Sequence, residues 1–429
     1  MFNFKDDRQI NGINIDMNKK FNIAIVTTSR SEFGLLKGVI FHLSKISKLT
    51  LLIGGSHLIN NSSYEEIENY ISTLNVNIVK LNHLEIDNIN RLNPSNQISF
   101  LGETSKLIVS NLEKQKIDLL LILGDRWELL SASISALFMR IPIAHISGGE
   151  VTEAAIDENI RHSITKMSNL HFVACEKYAE NVSSMGEEDW RITITGETGL
   201  DRIHNNKIIK FNTTMKKFKI PTDKKLILFT YHPISYGNYH LLQEDISQIS
   251  ISLKSLEEFT ILITGPGYEI GSEYIRTEFT KIAQNIKHIF YHEHLGRENY
   301  LSLMSGAELV LGNSSSGIVE SPSLGIKSIN IGDRQNGRER STSTIDVPCS
   351  SELITNSVRQ FLKTNKKVKG KYIKNPYDPF LDGRNSLRVA KTCINALKTF
   401  TRNELLNKKF CKSLKKKQWN SICPKENDF

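Results

Sequence analysis

Cysteine is scarce in this 429-residue chain: Cys175, Cys349, Cys393, Cys411 and Cys423 are odd in number, widely spaced and never in a CxxC pair. Neither a disulfide framework nor a zinc cluster is indicated, and reduced thiols are expected. Long apolar runs are missing too. No stretch reaches the roughly 18 residues needed to span a bilayer, and residues 1–20 carry charges where a secretion signal needs an apolar stretch. No membrane partner is therefore expected, and the expected compartment is the cytoplasm. Proline and glycine number only 10 and 25, which excludes collagen-like and low-complexity classes. What the chain does have is 39% hydrophobic residues, too many for a disordered chain, and a length that suits two globular domains.

Lys and Arg number 55 against 46 Asp and Glu, a surplus of +9 that suits either nucleic acid or a small phosphorylated ligand. The distribution of the surplus favours the small ligand. Six lysines crowd residues 408–417, outside any folded period, so much of the excess is read as a solvated tail and no nucleic-acid partner is expected.

The first strand signal is Asn22 to Val26, and apolar strand runs then alternate with helical periods at residues 49–53, 76–81, 119–123, 141–146 and 171–174. The alternation thins over residues 195–219 and restarts at 225–230, 260–264, 288–291, 309–312 and 328–332. Such alternation predicts parallel sheets covered by helices, here in two α/β halves with a cleft between them. The predicted division is a polar extension (1–20), an N-terminal Rossmann-like domain (21–200), a C-terminal Rossmann-like domain (201–385), and a final helix with a basic tail (386–429). In open α/β sheets ligands sit beyond the carboxyl ends of the strands, so the informative residues should follow each run.

They do. After the first strand, TSRSEFG (28–34) opens a helix with Arg30 near its N-terminus, a geometry suited to phosphate; a capped helix carrying a surface arginine is the alternative. GDRWE (124–128) sets Asp125 beside Arg126 at a strand end, either a neutralised pair or a base held ionised beside a phosphate-binding arginine. The densest cluster is HISGGE (145–150) followed by Asp157, Glu158, Arg161 and His162. Gly148 and Gly149 permit a tight turn near a ligand. Asp157 with Arg161 and Glu158 with His162 are also i,i+4 pairs, which would be surface salt bridges on a helix. A metal held by His145, Glu150 and His162 is a weaker reading, because the HExxH spacing is absent.

In the second half, His232 follows a strand in TYHP and could contact phosphate or shuttle a proton. GPGYEIG (265–271) is one residue too long for a dinucleotide fingerprint, and no NAD is expected. LVLGNSSSGIVE (309–320) reads as a strand, a loop rich in hydroxyls and N–H groups, and a helix start: an anion cradle containing Ser314 and Ser315, or else an ordinary capped helix. It matches neither a P-loop nor a GxSxG elbow, so ATPase and serine hydrolase readings lose support. Glu320 can accept both hydroxyls of a ribose, and Arg334, Arg338 and Arg340 add cations after the next strand.

At these residues the chain resembles the hydrolysing UDP-N-acetylglucosamine 2-epimerases, the branch of glycosyltransferase-B-like epimerases associated with sialic and legionaminic acid synthesis. The matching motifs are TSRSEFG, GDRWE, HISGGEVTEAAIDENIRHSITKMS, TYHP, GRENYLSLM and GNSSSGIVESPSLGIKSINIGDRQNGRER, in order over most of residues 21–345. The resemblance implies a glycosyltransferase-B-like fold of two Rossmann-like domains, no metal or other cofactor, a nucleotide-sugar substrate, and a homo-oligomer (dimer or tetramer). It implies substrate contacts from Arg30, Arg126, His232, His294, Ser314, Ser315, Glu320 and Arg334, with Asp125, Glu150 and Asp157 as acid/base carboxylates and His232 in the catalytic set. The implied reaction eliminates UDP across C1 and C2 to leave a 2-acetamidoglycal, then adds water to give the free 2-epimer. A non-hydrolysing epimerase and a non-catalytic UDP-sugar binder are the alternatives. Three positions depart from the pattern: Ser147 stands where relatives often carry Glu or His, GETG (196–199) replaces a Gly-Ser/Asn-Pro-Gly turn, and GPGYE (265–269) replaces Pro-Asn-x-Asp.

Overall fold

The computed structural model describes residues 20–58, 61–81, 93–153, 156–205, 208–234, 239–267, 271–364, 373–411 and 419–424. Among them, the first sheet contains β1 (Asn22–Thr27), β2 (Lys48–Ile53), β3 (Val76–Lys80), β4 (Leu119–Leu123), β5 (Ile143–Ile146), β6 (Leu170–Val173) and β7 (Ile192–Ile194). The second contains β8 (Lys225–Thr230), β9 (Phe259–Thr264), β10 (Ile289–His292), β11 (Leu309–Gly312), β12 (Lys327–Ile331) and β13 (Thr344–Val347). Every pairing is parallel, in the orders β3-β2-β1-β4-β5-β6-β7 and β10-β9-β8-β11-β12-β13. This is the α/β, glycosyltransferase-B-like arrangement that the resemblance implies.

Parallel strands covered on both faces must be apolar throughout, and β4 is: Leu119, Leu120, Leu121, Ile122 and Leu123 are all buried, alternating between the two faces of the sheet. On one face the helix Arg30–Ile46 sinks Phe33, Leu36, Val39, Ile40 and Leu43 into the core, a spacing that keeps one helix side apolar. Against the same face packs the helix Asn385–Thr399 through Val389, Ala390, Cys393 and Ala396. The chain thus crosses to the second lobe near Gly196–Leu200 and returns before Asn385. The two crossings are bonded to each other: Glu197 N–H donates to the Tyr377 carbonyl at 2.8 Å, and Asn385 Nδ2 donates to the Glu197 carbonyl at 3.0 Å.

The basic tail differs from expectation. Lys408 Nζ donates to the carbonyls of Lys166 and Ser168 and pairs with the buried Glu187 at 2.8 Å, while the Arg191 guanidinium holds the Leu405 carbonyl at 2.7 Å. Residues 404–411 are therefore anchored on the first lobe, with Lys409 exposed; residues 412–418, with the remaining four lysines of the run, lie outside the described residues. All five cysteines are free thiols, and no described helix is long and apolar enough to cross a membrane.

Candidate active site

Each sheet reverses its strand order once, between β1 and β4 in the first and between β8 and β11 in the second, and the crevice at such a switch point is where ligands lodge. At the first switch, Ser29 caps the helix Arg30–Ile46 with a full capping box, and Glu32 accepts from Thr28 N–H at 2.7 Å. Burial pushes the Glu32 carboxyl up to about 7, despite the Arg126 charge. Arg30 takes the first helical position and pairs with Glu66 at 3.1 Å. Arg126 lies between Glu128, at 2.7 Å, and Glu32, at 3.9 Å.

Asp125 follows β4 through Gly124, whose φ of 85° turns the chain into the crevice. Its partner is Arg161, whose Nε donates at 3.0 Å and whose Nη2 donates to the same oxygen. Burial alone would raise the Asp125 carboxyl, but the Arg161 charge and hydrogen bond outweigh it and hold the group below the ordinary carboxylate range. Arg161 is 1% exposed and also reaches the Glu150 carbonyl, Thr152 Oγ1 and Glu158. It is thus no surface partner of Asp157. Among the described residues Asp157 forms no ion pair, whereas the expected Glu158–His162 contact is present at 2.9 Å. Burial and the negative charge of Asp125 push the Asp157 carboxyl up to about 6, with Arg161, Arg334 and Arg126 pulling the other way.

Glu150, beyond the Gly148–Gly149 turn, pairs with Arg338 of the second lobe. The metal alternative fails on donor chemistry. His145 Nε2 donates to the Gly124 carbonyl at 2.8 Å and Nδ1 lies 3.2 Å from Thr165 Oγ1, while His162 turns to Glu158. Burial lowers the His145 imidazole to about 4, so the ring is neutral near pH 7. Among the described residues no cluster of His, Cys, Asp or Glu is arranged to hold a metal ion.

At the second switch Gly312 brings β11 against β8: with φ of 127°, a Cβ there would meet the Thr230 carbonyl oxygen at 1.9 Å. Asn313, fully buried, then ties the two loops, accepting from His232 N–H at 2.6 Å and donating to its carbonyl at 2.8 Å. Gly267 N–H donates to His232 Nδ1 at 3.3 Å; residues 268–270 of the expected glycine-rich turn lie outside the described residues. Ser314 Oγ contacts Ser316 Oγ at 2.9 Å, which contacts the Tyr300 hydroxyl at 2.8 Å, and Ser315 occupies the cap position of the short helix Ser316–Val319. Glu320 pairs with Arg297 at 3.1 Å; Arg334 Nη1 donates to the Asn313 carbonyl at 3.3 Å. His294, held below its ordinary pKa by burial, follows β10 in the same loop layer.

Both sets of loops face each other where Arg338 meets Glu150, Glu339 N–H donates to the Tyr178 hydroxyl at 3.2 Å, and Gly337 lies against Val151. Three neighbours of the expected residues were not singled out in the sequence, Glu32, Arg297 and Glu197, and Arg161 was marked only as a partner of Asp157. Arg297 could have been marked by its place just after β10, in GRENYLSLM.

A profile describing UDP-N-acetylglucosamine 2-epimerase matches residues 43–393. The chain belongs to the UDP-N-acetylglucosamine 2-epimerase family. It is 35% identical to the GDP/UDP-N,N'-diacetylbacillosamine 2-epimerase (hydrolyzing) of Campylobacter jejuni over 76% of this chain and 84% of that protein. It is 31% identical to the UDP-N,N'-diacetylbacillosamine 2-epimerase (hydrolyzing) of Legionella pneumophila, over 90% and 98% of the two chains. The crystal structure of UDP-GlcNAc 2-epimerase from Neisseria meningitidis bound to UDP-GlcNAc superposes with a TM-score of 0.70 at 21% identity, covering 87% of this chain and all of that one. This family member is accordingly an enzyme of the UDP-sugar 2-epimerase type.

Proposed function

We propose that the enzyme is a hydrolysing 2-epimerase, taking UDP-N,N'-diacetylbacillosamine or UDP-N-acetylglucosamine and releasing UDP with the free C2-epimeric sugar, for nonulosonic (sialic or legionaminic) acid synthesis in the cytoplasm. The Campylobacter and Legionella relatives carry the hydrolysing activity in their names, which supports this choice over a non-hydrolysing epimerase. The observation that carries the reading is a split between two neighbouring carboxyls: Arg161 holds Asp125 ionised, while burial and the Asp125 charge keep a proton on Asp157 up to about pH 6. Paired carboxyls of opposite protonation are what a two-proton reaction needs.

In this reading ionised Asp125 takes the C2 proton as the C1–O bond breaks and the electron pair leaves with UDP, giving the 2-acetamidoglycal. Asp157 then delivers a proton to C2 from the opposite face while water adds its hydroxyl at C1 and passes its remaining proton to the Asp157 carboxylate so formed; Asp125 returns to its ionised form by releasing its proton to solvent. Glu150, tied to Arg338, couples this chemistry to contact between the lobes. Arg30, Arg126, His232, His294, Ser314, Ser315 and Arg334 hold the diphosphate, whose growing charge on leaving is stabilised by the cations, and Glu320 accepts from the ribose hydroxyls.

Incubation with each UDP-sugar in deuterated water tests the reading. Free 2-epimer labelled at C2 is the expected product. Labelled UDP-sugar would mean the non-hydrolysing reaction, and binding without turnover would mean a sensor; either overturns the proposal. We further propose that a second copy of the chain covers the apolar face formed by Ile98, Ile134, Leu137 and Phe138 on the adjacent helices Pro94–Gln115 and Leu129–Phe138, Phe138 being 83% exposed. Light scattering should give at least twice the chain mass, and Phe138→Asp should return it to that of one chain.

A further inference from the structure

Three carboxyls converge on the line where the lobes meet: Glu150 after β5, Glu197 in the first crossing segment, and Glu320 beyond the short helix after β11. They are 5%, 7% and 8% exposed. Two guanidinium groups serve them. Arg338 pairs with Glu150 and Arg297 with Glu320 at 3.1 Å, whereas among the described residues Glu197 forms no ion pair. Three negative charges beside two positive ones in a poorly solvated place are costly, and the least expensive remedy is a proton on the carboxyl that lacks an arginine.

The geometry around Glu197 agrees. One oxygen accepts from Gly199 N–H and Thr198 Oγ1, each at 3.3 Å, and the other faces Ser147 Oγ at 3.5 Å. Ser147 holds a φ of 65°, a left-handed conformation that side-chain-bearing residues rarely adopt, and that backbone twist turns the hydroxyl across the crevice floor toward Glu197. The other charged group on the segment, Asp201, is occupied elsewhere, accepting from the Asn385 and Ser386 N–H groups at 2.8 Å. The groups that act on Glu197 are thus Glu150, Glu320 and Arg297, with Arg338 behind Glu150.

We propose that Glu197 is a positioning residue of this site: a neutral carboxylic acid that fixes Ser147 and the crevice floor, and leaves Glu150 and Glu320 ionised with Arg338 and Arg297 as their counterions. Burial first and the Glu150 charge second push its carboxyl up to about 7, so the acid form is present at and below neutrality. As pH rises past that point a third negative charge enters the cluster, loosening the Glu150–Arg338 link between the lobes.

The test has an arm free of catalysis and an arm that rests on the epimerase reading. In infrared difference spectra of the whole chain titrated from about pH 5.5 to 9, the protonated-carboxyl signal lost near neutrality in the wild type should contain contributions from Glu32 and Glu197, and the Glu197 contribution should be missing in Glu197→Gln. A near-neutral carboxyl signal that Glu197→Gln leaves undiminished overturns the assignment. In kinetics, the fall of kcat on the alkaline side should move up by about one pH unit in Glu197→Gln. It should move the same way, by less, in Ser147→Ala, where an acceptor loses its donor, and it should stay in place in Glu197→Asp. Identical profiles in all four proteins overturn the proposal, and Ser147→Ala supplies the answer if the Gln variant does not fold. If the Glu197 contribution titrates as expected while the wild type turns over no UDP-sugar, the functional reading fails and the Glu197 assignment stands. If turnover is normal and neither signal moves, only Glu197 is wrong.

Discussion

Asp125 and Asp157 show how little a residue type says before its neighbours are known. Both are aspartates within reach of one crevice, yet the fork of Arg161 grips the first and passes by the second, so their carboxyls move in opposite directions. Helical spacing had suggested Asp157 as the partner of Arg161, because i and i+4 positions are neighbours on a helix surface. Spacing is blind to the end of β4, which lies under that helix face and offers a carboxylate closer to the buried guanidinium. The place of Asp125 at a strand end was legible, since it follows an all-apolar parallel strand by two residues; its pairing with Arg161 was not. Asp125→Asn should lower kcat about 10²- to 10⁴-fold, the range for loss of a general base, while UDP affinity measured by calorimetry changes by no more than a few fold. Unaltered turnover would remove Asp125 from the chemistry.

Among the elements, the apolar runs of β4, β8 and β11 were legible residue for residue, because strands buried on both faces leave a continuous hydrophobic trace. β7 and β13 left none: they are edge strands of three and four residues, Ile192–Ile194 and Thr344–Val347, each interrupted by a polar residue. The loop after β11 was recognised from its serines, but the reason for Gly312 emerges only from the β8 backbone beside it. Gly312→Ala would force a Cβ onto the Thr230 carbonyl in an unfavourable backbone region, so it should cost about 3 kcal/mol or more and lower both melting temperature and UDP affinity. The anchored end of the chain was likewise illegible, since a lysine-rich segment reads as solvated unless a buried acid awaits it. Glu187 is that acid: burial would raise its carboxyl, yet His171, Lys166 and Lys408 bring it down to about 2. A carboxyl with a depressed folded-state pKa adds stability that is fully present above the unfolded value of 4.5 and is lost as pH falls toward 2. Glu187→Gln should therefore destabilise the protein at neutral pH by about 3 kcal/mol, and it should flatten the loss of melting temperature between those two pH values. A variant that keeps the wild-type acid slope would show that Glu187 does not anchor the segment.

On the scale of the whole molecule, the proposed mechanism divides one task between the two lobes, which must then stay in register through two thin crossings. Sequence order predicted two α/β halves, but not which side chain of one would touch the other, because contacts across a cleft have no periodicity to betray them. The most direct of these contacts is Glu150 with Arg338, next to the backbone approach of Gly337 to Val151. Removing the arginine leaves a buried carboxylate without its counterion, and the cheapest relief for such a charge is access to water, which here means separation of the lobes. Arg338→Ala should thus open the crevice. A compact chain of this length has a radius of gyration of roughly 22 Å, and solution scattering should register an increase of about 1 Å. If Glu150 works only while the lobes touch, kcat should fall with the opening, and Glu150→Gln combined with Arg338→Ala should restore the compact radius without restoring kcat. A single variant that stays as compact as the wild type would mean that the crossings alone set the lobe arrangement, leaving the ion pair only its local effect on Glu150.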